Sequence, residues 1–517
     1  MDATHPLTER RSARRHKRSE LSLLKMPFRQ PRNSWPPLEL LAPEQIEQLH
    51  EASMRILEET GIDLLDDETI DLWTEAGARV DRARRHVWID SAQLMELVAQ
   101  APASFVHRAR NPEKNLFIGG NVITFTPQAG MAYVSGLEMK RQPGTLEHAR
   151  NFLKLGQMCN VLHPAGGASI EPQDVPVSIR HLRRSLAVYT LTDKAAGGAA
   201  HGREIPVDAL NMAKIVFGDP LPDEPVLISN INASSPLRYD SRMLGGAITY
   251  ARAGQFVIVT PFILAGAMSP ISMASAIAQQ NAEALAGIAT LQLVRSGAFV
   301  VYGGFTTNID MKTGAPAFGT PEGAWALAVG AQLARRYNLP YRGSGSLCTA
   351  KASDAQAAYE TMWTLWPAVM SHTNIVVHAA GWLDGGLTTS YEKFILDVEM
   401  LAMFQHFLEG FKIDDETLAL DMIQEVGPGG HHFGTSHTQA RYSTEFYQSF
   451  VVGDRQNWEN WERAGAQDAE KRANAVWKEL LAHYEQPPMD PGILEGLEDY
   501  VMRRERELEG KSLYETI

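Results

Sequence analysis

Phe299-Val300-Val301-Tyr302-Gly303-Gly304-Phe305-Thr306-Thr307-Asn308 is an apolar run that ends in a glycine-rich polar tip. A helix is expected next, over 321–337, with Thr320 as its N-cap and Pro321 at its first position. The same alternation of strand-like and helix-like runs recurs eight times between about residue 120 and residue 410. Other runs end in tips such as Asn230-Ile231-Asn232 and His378-Ala379-Ala380-Gly381-Trp382. Eight βα units predict an α/β fold, a closed (βα)8 barrel of the TIM type, whose chemistry sits in the loops after the strands.

Working outward, the strands are expected at 122–126, 165–170, 195–199, 226–231, 256–262, 299–304, 341–345 and 375–378. The helices are expected at 145–158, 177–191, 207–217, 241–253, 271–295, 321–337, 353–370 and 388–408. Arg180, Arg183 and Arg184 are assigned to a solvated helix face. The third and seventh strands are glycine-rich, so count and alternation carry the inference more than any single element. The rival is an open doubly wound sheet, which places a glycine-rich phosphate loop after its first strand. No such fingerprint follows here, and G-x-x-x-x-G-K-[ST] is missing.

The same pattern divides the chain. Residues 1–35 read as a disordered basic tail, carrying Arg10, Arg11, Arg14, Arg15 and Arg18 without the apolar core of a secretory signal. Residues 36–115 read as a small α-rich cap, with helices over 43–59 and 91–100 and a strand at 86–89. Residues 116–410 are the barrel. Residues 411–517 form a C-terminal extension, with a loop at Gly427-Pro428-Gly429-Gly430-His431-His432 and a charged helix over 458–484.

The 517 residues are 44% hydrophobic and 21% charged, which is ordinary for a globular protein. A net charge of −13 argues against nucleic-acid binding. No run of 18 apolar residues is present, so no membrane span is expected. Cys159 and Cys348 are too few and too distant for a disulfide scaffold or a zinc-thiolate site, and their scarcity fits a cytoplasmic setting. A homo-oligomer suits a chain of this size, although the residues reveal no interface.

Candidate chemistry follows from strand-end position. Glu171 follows strand two, Asn230 and Asn232 end strand four, and Thr306 and Asn308 end strand six. His378, Trp382 and Asp384 follow strand eight. Any one of these serves equally well as a helix cap or a partner for backbone groups, but the set lies at the expected barrel top. No G-x-S-x-G elbow and no H-E-x-x-H pair is present. His431, His432 and His437 lack a second set of metal ligands, so no metal site is assigned. Tyr133, Phe305, Trp382 and Tyr391 fall near the barrel top, and aromatic faces hold cations well when desolvated. Trp363 and Trp366, three apart on a helix, read as core, which leaves Trp382 as the better ligand group.

His378-Ala379-Ala380-Gly381-Trp382-Leu383-Asp384-Gly385-Gly386-Leu387-Thr388-Thr389-Ser390-Tyr391-Glu392-Lys393-Phe394 resembles a signature of the trimethylamine methyltransferase family. Gly427-Pro428-Gly429-Gly430-His431-His432-Phe433-Gly434-Thr435-Ser436-His437-Thr438 resembles its second signature, with His432 where the family carries an apolar residue. Supporting blocks lie at 38–61, 302–322 and 349–360, and the resemblance covers roughly residues 36–460. It implies a (βα)8 barrel that moves a methyl group from a methylated amine to the cobalt of a cobalamin (corrinoid) carried by a separate protein. Archaeal trimethylamine members carry pyrrolysine. This chain uses standard residues only, so it resembles the branch that includes glycine betaine:corrinoid methyltransferases.

The residues agree with a small quaternary amine as substrate. Its nitrogen leaves as a neutral amine without a proton, so no general acid is required. On that reading Trp382, Tyr133 and Phe305 cage the cation, with Glu171 and Asp384 as nearby carboxylates and Glu171 balancing its charge. Asn230, Asn308 and His378 orient a substrate carboxylate, and His431 and His437 order a loop or rim. Two alternatives stay open: another barrel lyase or hydrolase of a small polar metabolite, and a non-catalytic betaine-binding protein.

Overall fold

In the computed structural model, which describes residues 26–164, 166, 169–449, 452–511 and 513, the alternation closes into a barrel. The expected tail lies mostly outside the described residues. Seven strands form one all-parallel sheet: β1 (Thr124–Phe125), β2 (Ala196–Gly197), β3 (Leu227–Ile231), β4 (Phe256–Val259), β5 (Val300–Gly303), β6 (Tyr341–Ser344) and β7 (Ile375–Val377). Their spatial order is β1-β7-β6-β5-β4-β3-β2. The outer ring is α1 (Leu146–Met158), α2 (Val177–Leu191), α3 (Glu204–Phe217), α4 (Ser241–Arg252), α5 (Met273–Val294), α6 (Pro321–Arg336), α7 (Ala355–Met370) and α8 (Tyr391–Glu409).

The eighth stave departs from expectation. The anticipated strand at 165–170 includes residues 165, 167 and 168, which lie outside the described residues. The gap between β1 and β2 is spanned earlier, by residues 161–164. Pro164 bridges Ala195 in parallel, and the His163 amide donates to the Phe125 carbonyl at 3.0 Å. Two side chains complete what this irregular segment lacks. His163 Nδ1 accepts the Phe125 amide at 3.0 Å while its Nε2 lies 2.8 Å from the Arg29 carbonyl. The buried Lys194 ammonium donates to the carbonyls of Gly156, Cys159 and Leu162 at 2.7, 2.9 and 2.6 Å. Burial lowers the Lys194 pKa to about 7.

Helix starts follow local chemistry. Thr145 caps α1 by accepting the His148 amide, and His148 Nδ1 in turn accepts the Thr145 amide at 3.2 Å. Thr320 occupies the cap position of α6, but its hydroxyl donates instead to Asn308 Oδ1 at 3.3 Å and the Ala317 carbonyl at 3.1 Å. That exchange ties the tip of the Phe299–Asn308 run to the helix behind it.

The flanks cover the ring. Helices Pro43–Arg55, Asp67–Glu75 and Ser91–Val98 pack on α5, which is therefore buried nearly all round. Trp73 Nε1 donates to Thr290 Oγ1 at 3.0 Å across that contact. Strands join these helices: Ile62–Leu64 pairs with His86–Trp88 and with Arg238–Tyr239 of the barrel. In the C-terminal extension the expected helix over 458–484 is broken. It forms Trp458–Arg463 and Ala469–Ala482, separated by Gly465 and Ala466, both at positive φ. The second piece packs on α8, where Asn474 and Trp477 both donate to Glu392 Oε1. A further helix, Pro491–Leu508, which the sequence reading left unassigned, packs on α2 and α3.

The antiparallel pair Ser104–His107 and Leu116–Gly119 plugs one end of the barrel. Phe105, Leu116 and Ile118 join Phe256, Ile258, Val301 and Ile375 in one buried cluster. The opposite end, formed by the loops after the strands, is the mouth.

The seam has a testable weakness. His163→Ala leaves the buried Phe125 amide without an acceptor, an expected loss of about 2–3 kcal/mol of unfolding free energy, measurable by denaturant titration. Burial holds His163 and His107 near pKa 4, below the ordinary 6.5. As pH falls from 6.5 towards 4 the unfolded chain binds protons that the folded chain does not, so the melting temperature should fall across that window. A flat melting temperature there would contradict the buried neutral state of both rings.

Candidate active site

Strand register sets the lumen. Side chains alternate along a strand, and the buried plug identifies Phe256, Ile258, Val301 and Ile375 as inward-facing. The cross-strand pairs Gly303↔Arg342 and Arg342↔Ile375 then place Arg342 on the inner face. Asn230, Thr260, Phe305, Ser344 and Thr126 share that face by the same alternation.

Arg342 is the central finding, and the sequence reading passed over it. Its guanidinium is fully buried, sits 5.2 Å over the Phe305 ring and donates to the Gly304 carbonyl at 3.3 Å. Its Nε has no hydrogen-bond partner, and neither has the buried hydroxyl of Thr126. No carboxylate pairs with Arg342 among the described residues. Burial, opposed by nearby Tyr341, brings its pKa down to about 10, so it stays charged at neutral pH. An arginine at an inward position of the expected 341–345 strand was the available signal, since a charge on that phase of a barrel strand needs a partner.

Phe305, Trp382 and His378 come together above Arg342. The His378 and Trp382 rings are 4.5 Å apart, and His378 and Phe305 are 5.6 Å apart. Phe318, another residue missed from sequence, stacks on Phe305 at 5.5 Å and meets Trp382 edge-on at 5.5 Å. A cleft lined by Phe305, Thr306, Phe318, Ser344 and Leu347 opens beside this group. His378 Nδ1 lies 3.4 Å from Ser344 Oγ. Burial, with the Arg342 charge adding to it, pushes the His378 pKa well below 6.5, so the ring is neutral.

The loop that carries Trp382 is held from beneath. Lys393 and Asp397, one turn apart on α8 and both buried, form an ion pair. Asp397 Oδ2 accepts the Gly381 amide at 2.8 Å, and Lys393 Nζ donates to Thr361 Oγ1 at 2.8 Å. Gly381 has φ +89°, and a Cβ there would meet Gln128 and Thr389 at 3.0 Å. Trp382 Nε1 donates to the Cys348 carbonyl at 3.1 Å, fixing the ring plane.

Asn230 is exposed at the mouth. It accepts from Thr260 Oγ1 at 2.9 Å and donates to Asn232 at 3.1 Å. Asn308 is half-buried next to Thr320. Three of the remaining expected residues are engaged by charged partners. The Tyr133 face is covered by the Arg141 guanidinium at 3.6 Å, and Asp384 pairs with that same arginine at 3.3 Å and with Lys351 at 3.7 Å. Glu171 is bound by Arg184 and lies 3.7 Å from Arg180. Its charge is thereby already balanced. Arg180 and Arg184 are only partly exposed, not on a solvated face as expected, because Glu171 draws both inward. His437 contacts the Glu416 carbonyl at 3.1 Å and His431 packs near Phe433, both in the C-terminal extension away from the group around Trp382.

The family model described as trimethylamine methyltransferase (MTTB) matches residues 8–509. The chain is 38% identical over 475 residues to the glycine betaine methyltransferase of Desulfitobacterium hafniense (strain Y51), covering 92% of this chain and 98% of that one. It is 31% identical over 471 residues to a trimethylamine methyltransferase of Desulfitobacterium hafniense (strain DSM 10664 / DCB-2), with 90% and 93% covered. It is 28% identical over 492 residues to the trimethylamine methyltransferase of Methanosarcina barkeri (strain Fusaro), with 92% and 96% covered. A parallel barrel with an aromatic group at its mouth, a family match spanning nearly the whole chain and likeness over the full length of these relatives lead to one conclusion: the chain belongs to the trimethylamine methyltransferase family.

Proposed function

We propose that this chain transfers a methyl group from a small quaternary ammonium compound bearing a carboxylate to the cobalt of a corrinoid carried by a separate protein. The observation that carries the reading is Arg342: a buried, permanently charged guanidinium with an unpartnered Nε, below a group of aromatic rings. Such a group is costly unless an anion arrives to meet it. A betaine supplies both charges that the site lacks. Its carboxylate pairs with Arg342, within reach of Ser344 and the neutral His378, while Trp382 and Phe305 receive the ammonium head.

The residues then act by position. The aromatic walls exclude water and hold one methyl towards the mouth. His378, being neutral, adds no repulsion to the cation. Asn230 and Asn308 stand nearer the rim, away from the carboxylate that Arg342 holds. Because the departing amine is neutral, no side chain has to deliver a proton. The rim has Ile271, Met311 and Leu387 exposed in strand-to-helix loops, and these apolar side chains suit the approach of a protein-borne corrinoid. When bound, the reduced cobalt supplies the nucleophile that accepts the methyl. Buried free thiols at Cys159 and Cys348 suit a reducing cytoplasm, and among the described residues no helix is long and apolar enough to cross a membrane.

Mixing the protein with Co(I) cobalamin and a panel of amines tests the reading. Methyl-Co(III) should form with carboxylate-bearing betaines and not with tetramethylammonium. Arg342→Gln should lower kcat/KM for the betaine by roughly a hundredfold, about 3 kcal/mol of lost charge-assisted binding. Equal turnover of tetramethylammonium, or an unchanged Arg342→Gln variant, would sink the assignment.

The acid side gives an independent check. A depressed His378 pKa means that the ring charges only well below pH 6.5, where it would repel both Arg342 and the ammonium head. The kcat/KM profile should be level from pH 8 down to about 6. An acid limb at the ordinary histidine value that disappears in His378→Asn would contradict the buried neutral ring.

A further inference from the structure

Two apolar surfaces on this chain have no cover. The first is on the barrel wall. Trp363 and Trp366, expected in the core, are 51% and 39% exposed on the outside of α7. Trp366 packs against Phe407 of α8 at 5.5 Å, and Phe407 against Trp35 at 4.7 Å, making one continuous aromatic strip. Tyr359, Met362 and Met403 extend it, all exposed.

The second surface is the excursion between α8 and the point where the chain returns. It leaves at Gly410 and rejoins the body at Tyr447, whose hydroxyl donates to Glu399 Oε1 at 2.6 Å. Between them, among residues 411–446, only Thr435 is buried. Yet this stretch carries Phe411, Ile413, Leu420, Ile423, Phe433 and Phe446, with Phe411 87% and Phe433 84% exposed. It also has short helices of its own, Asp415–Leu418, Leu420–Val426 and Ser436–Arg441, the first and last linked by the Arg441–Glu416 ion pair. A segment ordered in this way without a core of its own calls for an external surface to bury its side chains.

We propose that residues 411–446 form an arm that packs on the α7–α8 aromatic strip of a second copy of this chain. The position of the root selects this occupant. Glu409, at the end of α8, pairs with Arg29, and Pro31 accepts the Ile123 amide just before β1 begins. The arm therefore springs from the plugged end of the barrel, opposite the mouth that a methyl acceptor needs. The aromatic strip lies on the lower halves of α7 and α8, beside that root. Arm and strip on the same chain are complementary, so a twofold pairing covers both with one set of contacts made twice. The arm presents on the order of 900 Å² of apolar side chain, comparable to the roughly 800 Å² per partner of a stable interface. The second family-like signature, residues 427–438, travels on this arm, which gives it an assembly role separate from the barrel chemistry.

Sedimentation velocity on the full chain at micromolar concentration tests the proposal. The wild type should run at a multiple of 57.1 kDa. Phe411→Asp combined with Phe433→Asp should reduce it to a single chain with an unchanged near-ultraviolet circular dichroism spectrum, since both side chains are exposed in the protomer. Hydrogen exchange of 411–446 in the wild type should slow as concentration rises, and Trp363→Glu, on the strip alone, should abolish that slowing. A wild-type mass of one chain overturns the proposal, as does a multimer that both variants leave intact. Arm protection that appears only after a corrinoid-carrying protein is added assigns the surface to that partner instead and likewise overturns it.

Discussion

Closure of the barrel across its one irregular stave is the constraint on which the other features rest. A parallel sheet left open between β1 and β2 would expose two edges and admit water along the whole lumen. The chain closes it with few backbone ladder bonds. An imidazole nitrogen stands in for a missing carbonyl at Phe125, and an ammonium gathers three carbonyls that no amide reaches. Each substitute is itself buried, so each is effective only while dry. Closure fixes the stagger of the strands, and the stagger brings Arg342, Ser344, Phe305 and Thr126 to one face.

The charge layout follows from this. The chain as a whole carries −13, yet the lumen holds a buried cation, Arg342, that no carboxylate pairs with among the described residues. Several other charges are matched by opposite ones: Glu171 by two arginines, Lys393 by Asp397, and Asp208 by Arg504 with His181 and Tyr500 beside it, while Lys194 is held by three carbonyls. Those pairs hold loops and flanking helices. Arg342 holds little beyond the Gly304 carbonyl, and that contrast separates binding from scaffolding among charges of similar burial.

Much of the barrel was legible in the residues because amphipathic helices state their period directly. The range of α2 matches its expected range, and that of α1 differs only at the cap residue. Strands were less legible. Their parts within the barrel sheet are shorter than their apolar runs, since the run continues as a tip that leaves that sheet, as at Phe305–Asn308 beyond β5, which pairs with Phe262–Ala265. The stave at 161–164 escaped because its pairing depends on side chains and not on a β-forming pattern. At the site, strand-end position grouped His378, Phe305 and Trp382 correctly in space, because Phe305 follows β5 and His378 and Trp382 follow β7, the two strands that flank β6. Tyr133 and Asp384 are both engaged by a long-range partner, Arg141, that local sequence does not reveal. Trp363 and Trp366 were misread because helical spacing alone cannot distinguish a stripe facing the barrel from one facing away.

His378 has a backbone angle of φ +61°, a left-handed conformation that few residues other than glycine adopt without strain. The strain is held by the Ala379 amide, bonded to the Thr126 carbonyl at 2.8 Å, and by the strand on its other side. This narrows the paths by which the position can vary over generations. Asparagine, aspartate or glycine can enter without moving the chain, whereas a β-branched or bulky apolar residue would have to reshape the turn that presents Trp382. Drift at this point is thus channelled towards small polar side chains, and the backbone limits the repertoire before selection for any substrate begins.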